Sequence, residues 1–235
     1  MNVLVVIPTY NERENLPVVA AGVLKHGYRL LVVDDGSPDG TGALAEDLAK
    51  ANPGRVTVMH RTGQRGLGRS YIDGLRHALA EGTADLICQM DADLSHNPDY
   101  LPDLVAAAAT NDLVIGSRYL YGVSVVNWPL HRIFLSAFAN RYIRFVTRLR
   151  TSDCTSGFRC WRREALARIP LERMVSDGYS FLVEMLYEAN RRRCRIDEVP
   201  IIFVERRQGQ SKLSSGVLVE SLIMPWRLVF SSARD

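Results

Sequence analysis

The chain has 235 residues, 47% of them apolar, which is enough for a sizeable core and excludes a globally disordered chain. The formal net charge is only +3, yet residues 1–112 hold 9 Lys/Arg against 15 Asp/Glu, and residues 113–235 hold 20 against 11. An acidic front half suits a cation and a basic back half an anionic partner, whereas the spacing of Cys88, Cys154, Cys160 and Cys194 suits neither a disulfide framework nor a zinc site.

The first apolar run, Val3–Ile7, has no basic leader or cleavage site and reads as a strand, not a signal peptide. Further short runs follow at Leu30–Val33, Val56–Met59, Leu86–Met90 and Leu113–Ile115. Helical patterns lie between them at Asn15–Lys25, Thr41–Ala51, Gly68–Ala80 and Pro98–Ala109. This alternation predicts an α/β fold: a mainly parallel sheet with helices on both faces. Leu113–Ser152 contains no acid, and it carries Arg118, Arg132, Arg141, Arg144, Arg148 and Arg150 among Trp128, Phe134, Phe138 and Phe145. It reads either as basic amphipathic helices at a membrane surface or as core helices with solvated arginines. A short strand, a helix near Phe181–Arg192 and a strand Ile196–Val204 come next. A mobile polar loop is expected over 206–215, then a helix Val217–Phe230. No run reaches the ~18 apolar residues of a membrane span. One unit, 1–235, is expected, with a front half 1–117 and a basic back half 118–235.

Ligands in such sheets sit beyond the carboxyl ends of the strands. Polar clusters fall there: Pro8-Thr9-Tyr10-Asn11-Glu12, Asp34-Asp35-Gly36-Ser37 and Asp91-Ala92-Asp93. Two carboxylates one residue apart can turn toward one hard cation, Mg2+ or Mn2+, which would bridge a diphosphate. The same acids also suit ordinary turns, and Ser37, Asp39 and Thr41 suit a helix cap. His96 reads as a turn residue and not a ligand, because the expected ion prefers oxygen. Trp128 reads as an interfacial anchor among arginines.

In this order, Ile7-Pro8-Thr9-Tyr10-Asn11-Glu12, Asp34-Asp35-Gly36-Ser37 and Asp91-Ala92-Asp93 resemble the GT-A glycosyltransferases of family 2. Gly66-Leu67-Gly68, Gly116-Ser117-Arg118-Tyr119, Thr155-Ser156-Gly157-Phe158-Arg159, Glu198-Val199-Pro200-Ile201 and the spaced Phe203, Arg206, Gly209, Ser211, Lys212 and Leu213 narrow the resemblance to the dolichol-phosphate (polyprenol-phosphate) mannosyltransferases. The resemblance implies a Rossmann-like GT-A domain that moves mannose from GDP-mannose to a polyprenyl or dolichyl phosphate with inversion. It further implies that Pro8, Tyr10, Glu12, Asp34, Asp35 and Gly66 serve the nucleotide sugar and that Asp91 and Asp93 hold the metal. Ser95 stands where relatives carry a Gln ligand, so weak or water-mediated ligation is expected of it. Arg118, Arg132 and Ser136 match the acceptor-phosphate grip, and Arg206 and Lys212 the loop residues that reach the donor phosphates. Asp93, Arg118 and Lys212 are the expected catalytic set.

The chemistry agrees with that placement. A phosphate monoester is already anionic, so it needs cations to approach a charged donor more than it needs a base. No base is therefore assigned to Asp153 or Glu184, for which solvated salt bridges are expected. The alternatives are a UDP-glucose or other hexosyl donor to the same lipid, a nucleotidyltransferase, and a non-catalytic binding subunit. A cytoplasmic protein peripheral on a membrane is expected, held by its basic helices or by a separate membrane subunit, with no nucleic-acid partner.

Overall fold

The computed structural model describes residues 1–174, 178–205 and 215–231. In chain order the elements are β1 (Val3–Thr9), α1 (Leu16–Lys25), β2 (Arg29–Asp34), α2 (Thr41–Ala51), β3 (Val56–His60) and α3 (Leu67–Glu81). There follow β4 (Leu86–Gln89), α4 (Leu101–Ala107), β5 (Leu113–Ser117), β6 (Val125–Val126) and α5 (Leu130–Thr147). The chain continues through β7 (Arg159–Arg162), α6 (Arg163–Leu166), α7 (Gly178–Arg191), β8 (Ile196–Pro200), β9 (Phe203–Val204) and α8 (Ser215–Ser231).

Among the described residues, seven strands form one sheet in the order β3-β2-β1-β4-β7-β5-β8. β1 pairs parallel with β2 and β4, and β2 pairs parallel with β3. β1 is buried throughout and apolar up to Pro8, because both its faces are covered. Leu4 and Val6 join a core with Leu31, Val33, Tyr71, Leu75, Trp161 and Phe181. Val3, Val5 and Ile7 join another with Leu16, Val19, Leu30, Val32 and Phe158. α3 approaches the sheet closely at Gly74, where an added Cβ would stand 2.6 Å from a Val6 methyl and 2.8 Å from a Val33 methyl.

The structure adds an arrangement that local pattern does not reveal. β7 runs antiparallel to both neighbours, β4 and β5, so the sheet is mixed at its centre. The strand expected over Ile196–Val204 is divided: β8 stays in the main sheet, and β9 pairs with β6 in a separate ribbon. Pro200 ends β8, and the Ile201 N–H donates to the Ser117 carbonyl at 3.0 Å as the chain turns away. The helix expected over Pro98–Ala109 opens with a 3-10 turn capped by the Asn97 side chain. Among the described residues no helix is long and apolar enough to cross a membrane.

α5 and α8 settle whether the arginine-rich segment is a core helix. Phe134, Phe138 and Phe145 of α5 are 71%, 63% and 81% exposed, and Leu222, Ile223, Trp226 and Phe230 of α8 are exposed as well. The two helices are joined by the Tyr142 hydroxyl, which donates to the Leu222 carbonyl at 2.7 Å and accepts from the Trp226 indole at 2.8 Å. Arg141, Arg144 and Arg148 are exposed too. An apolar surface with basic residues around it is therefore presented outward, unlike a helix buried in a core.

Candidate active site

The carboxyl ends of β1, β2, β4 and β5 all lead into the same cleft side of the sheet, as parallel pairing requires. Beyond β2 and β3 an open cleft of about 520 Å3 is lined by Asp35, Gly36, Pro38, Arg61, Thr62, Gly63 and Arg65, a size suited to a small-molecule ligand. Asp35 is nearly buried and saturated by protein donors: the Arg61 guanidinium pairs with it, and the Gly66 N–H donates to Oδ2 at 2.9 Å. Arg61 also reaches Asp73 at 2.7 Å, so one guanidinium ties β2 to the start of α3. Asp34 is buried and accepts from the Ser37 N–H at 3.4 Å. Tyr10 remains partly exposed, with the Arg65 guanidinium 5.0 Å from its ring centre. The Glu12 backbone N–H donates to the Thr41 hydroxyl, and the Glu12 carboxylate accepts from Asn15 at 2.7 Å.

Of the residues expected at the nucleotide, Asp35 lines this cleft. Tyr10 and Gly66 adjoin its lining through Arg65 and Asp35, and Asp34 and Glu12 lie at the neighbouring strand ends. Pro8 is buried within β1, one residue before the strand's end. Arg61 and Arg65 are additions to the expected set, although the strand-end rule extended to β3 finds them. Arg206 and Lys212, and the loop expected over 206–215 up to residue 214, lie outside the described residues.

Immediately after β4 come Asp91 and Asp93. The Tyr71 hydroxyl donates to Asp91 Oδ1 at 2.7 Å. Asp93 Oδ1 accepts from the Ser95 hydroxyl at 2.5 Å and from the Ser95 N–H at 3.1 Å. Ser95 is buried and its hydroxyl proton goes to Asp93, which orients that acid and leaves the hydroxyl oxygen's lone pairs unused by this bond. Leu94 between them has a left-handed backbone (φ 64°), which is costly for a branched side chain and turns the loop back sharply. His96 is buried, stacks on Phe158 at 5.0 Å, and accepts the Asp91 N–H on Nδ1 at 3.1 Å. Burial holds its pKa below the usual histidine range despite the nearby acids, and the acceptor bond requires the Nε2–H tautomer. It is thus a turn residue that props the acid loop from a buried position. Burial, then Asp91, pushes the Tyr71 hydroxyl well above the usual tyrosine range, so it stays a donor. Among the described residues no three His, Cys, Asp or Glu side chains gather into a protein-only metal cage. Two adjacent carboxylates fit instead a hard dication that takes its other oxygens from a diphosphate.

Arg118 is the first residue beyond β5. Its Nε and Nη2 donate to the two oxygens of Asp153 at 2.7 Å each, and Nη2 also reaches the Thr155 hydroxyl at 2.7 Å. Asp153 is fully buried, so its expected salt bridge is present but the expected solvation is not. Burial would raise the Asp153 carboxyl; the Arg118 charge and N–H donors outweigh it and hold the pKa below the usual range. Trp128 packs against Arg132 (4.1 Å) and Arg118 (5.7 Å) and edge-on to Phe203 (5.4 Å). The indole thus belongs to the arginine cluster and not to the outer apolar face. Arg132 pairs with Glu205, and Ser136 accepts from the Tyr119 hydroxyl at 2.8 Å. The acid and arginine poles meet at His96, which lies within electrostatic reach of Asp91, Asp93, Arg118 and Asp153. Segment 153–157 also spans them: a Cβ on Gly157 would lie 3.5 Å from Asp91 Oδ1. Arg159, fully buried, fastens that segment by donating to the Ser156 and Cys154 carbonyls, and burial pushes its pKa down to about 10.

A mixed Rossmann-like sheet with an acid pair beyond a central strand is the fold of the GT-A glycosyltransferases. Solved structures of glucosyl-3-phosphoglycerate synthase from Mycobacterium tuberculosis share it. The complex of that enzyme with Mn2+, UDP and glucosyl-3-phosphoglycerate superposes with a TM-score of 0.69 at 19% identity, covering 98% of this chain and 79% of that one. The glycosyl transferase family 2 model matches residues 4–169, and the chain belongs to that family. A polyprenol monophosphomannose synthase of Mycolicibacterium smegmatis is 48% identical over 223 residues, covering 93% of this chain and 83% of that protein. An undecaprenyl-phosphate mannosyltransferase of Micrococcus luteus is 46% identical over 226 residues, covering 95% and 92%. Family membership removes the support for a nucleotidyltransferase.

The Arg118–Asp153 pair predicts a pH-dependent defect. Asp153→Asn should lower stability at neutral pH by about 3–5 kcal/mol, because it leaves a buried guanidinium without its counter-charge. The carboxylate's contribution is present above the unfolded aspartate pKa and is lost as pH falls through the lower folded value. Denaturant melts should therefore show the gap between wild type and variant closing in acid. A constant gap would contradict the assignment.

Proposed function

We propose that this protein transfers mannose from GDP-mannose to the phosphate of a polyprenyl or dolichyl phosphate, with inversion, to give a β-linked lipid-phosphate mannose. The observation that carries the reading is the 48% and 46% identity, over more than nine-tenths of the chain, to proteins named for mannose transfer to polyprenyl phosphates. The site chemistry supports it, since Asp91, Asp93 and Arg118 all lie within electrostatic reach of one buried residue, His96.

In this reading the donor nucleoside lies beside Tyr10, Glu12, Gly66, Arg61 and Arg65. Asp91 and Asp93 hold Mg2+ or Mn2+, which when bound neutralises charge on the departing diphosphate. Arg118 and Arg132 receive the acceptor phosphate, with Ser136 close by through Tyr119. An acceptor oxygen forms the bond to the anomeric carbon while the bond to the diphosphate breaks, and that electron pair leaves with GDP. The attacking oxygen is already ionised, so no side chain must remove a proton. The protein's contribution is positioning and charge compensation. Asp153 keeps Arg118 extended and fixed, and the Trp128 face lets two guanidinium groups lie near each other over shared π density. Arg206 and Lys212 are assigned to the donor phosphates from the family resemblance, Lys212 as part of the catalytic set with Asp93 and Arg118. The exposed apolar faces of α5 and α8, with Arg141, Arg144 and Arg148, rest on the cytoplasmic side of the membrane that holds the lipid acceptor.

Three measurements test this. Purified protein given radiolabelled GDP-mannose, Mn2+ and a short polyprenyl phosphate should yield a labelled lipid product that is lost in chelator. Product from UDP-glucose and none from GDP-mannose would overturn the donor assignment. Arg132→Ala should raise the KM for lipid phosphate about tenfold, as expected for a lost charge-assisted contact, and leave that for GDP-mannose nearly unchanged. Equal effects on both substrates would remove Arg132 from the acceptor site. The paired substitution Phe134→Glu, Phe138→Glu should abolish flotation with anionic liposomes at low salt, whereas wild-type binding that survives it would exclude this face.

A further inference from the structure

We infer that Tyr71 is the positioning residue for the metal site: its hydroxyl locks the Asp91 carboxylate so that one oxygen is anchored inside the protein and the other is held out for the cation. The inference rests on the reading of Asp91 as a metal ligand, and it adds a residue from a different element, α3, to that site.

A carboxylate on a short side chain turns easily about its last torsion, which is broad and roughly two-fold. Asp91 stands in a loop beyond β4, and its side chain is 29% exposed. Without a fixed partner, its two oxygens would exchange roles. Tyr71 removes that freedom. Its side chain is fully buried, its ring lies parallel to Phe181 at 6.3 Å, and its hydroxyl donates to Oδ1 at 2.7 Å. The helix that carries it cannot shift toward the sheet, because Gly74, one turn on, already lets α3 touch Val6 and Val33. Among the described residues Oδ2 of Asp91 accepts no hydrogen bond; its nearest basic neighbour is His96 Nδ1 at 3.9 Å, whose lone pair already accepts the Asp91 N–H. Gly157 lies along the same carboxylate with no side chain to compete for it.

A phenylalanine would fill the same core volume, so packing does not explain the oxygen. A buried hydroxyl must find a partner, and here it is directed at a ligand of the proposed cation. Asp93 is held in parallel by Ser95, from its own loop. Tyr71 differs because it fixes the distance from the acid loop to α3, whose first turn borders the donor cleft through Gly66.

The test is Tyr71→Phe beside Asp91→Asn, with Mn2+ binding followed by the EPR signal of the free ion, with and without GDP. Tyr71→Phe should weaken Mn2+ binding about tenfold or more, the usual scale for losing an outer-shell partner. Its kcat should return close to wild type at saturating Mn2+, and GDP affinity in chelator should be unchanged. A role in folding alone would lower the melting temperature and leave the Mn2+ affinity of the folded protein as it was; that result overturns the inference. Should Tyr71→Phe melt near the assay temperature, the same titration in the cold with GDP bound decides between the two roles. If Asp91→Asn binds Mn2+ like wild type, the metal reading itself fails; if Asp91→Asn loses Mn2+ while Tyr71→Phe keeps it, only the role of Tyr71 fails.

Discussion

Everything at the site depends on the parallel pairing of β1 with β2 and β4. That pairing brings Thr9, Asp34 and the residues after Gln89 to one edge of the sheet. Polar groups there lie beyond the two apolar layers and, although many are buried, meet hydrogen-bond partners from neighbouring loops, while the strands behind them are packed on both faces. The chemistry is therefore concentrated at one rim, and the rest of the chain keeps that rim rigid.

Rigidity matters because the rim carries opposite charges at close quarters. Asp91, Asp93 and Arg118 all act on His96. The fold gives each a partner that fixes it: Tyr71 for Asp91, Ser95 for Asp93 and Asp153 for Arg118. His96, neutral and wedged against Phe158 and Phe203, separates the poles without adding charge. Each pole can then meet an incoming anion or cation with little reorganisation, the condition under which fixed charges assist group transfer most.

Much of this is legible in the sequence, and the limits have a common cause. Apolar runs followed by acids locate β1, β2 and β4 and their cluster residues, because strand periodicity and strand-end polarity are local signals. Asp91, Asp93 and Arg118 emerge this way or through motif resemblance. Their partners do not. Asp153 lies 35 residues from Arg118, and Tyr71 lies 20 residues before Asp91 inside a helix whose pattern marks it simply as core. A hydroxyl's direction leaves no trace in periodicity. Trp128 departs from its expected place for a related reason: its arginine neighbours suggest a membrane rim, but the turn before α5 folds it inward onto them. β7 is too short, at four residues, to declare its direction.

That direction has a consequence for how the protein can vary. Because β7 runs against its neighbours, the segment before it enters the sheet at the rim where the other strands leave. Asp153, Thr155 and Gly157 are thus stitched between both charged poles with no slack, and Arg159 fastens the stitch from within. Extra residues inserted there would push the poles apart together, whereas the same insertion in the turn between α2 and β3, on the opposite edge, would leave their spacing intact. The spacing of the two poles is accordingly set by this short seam and not by the outer helices.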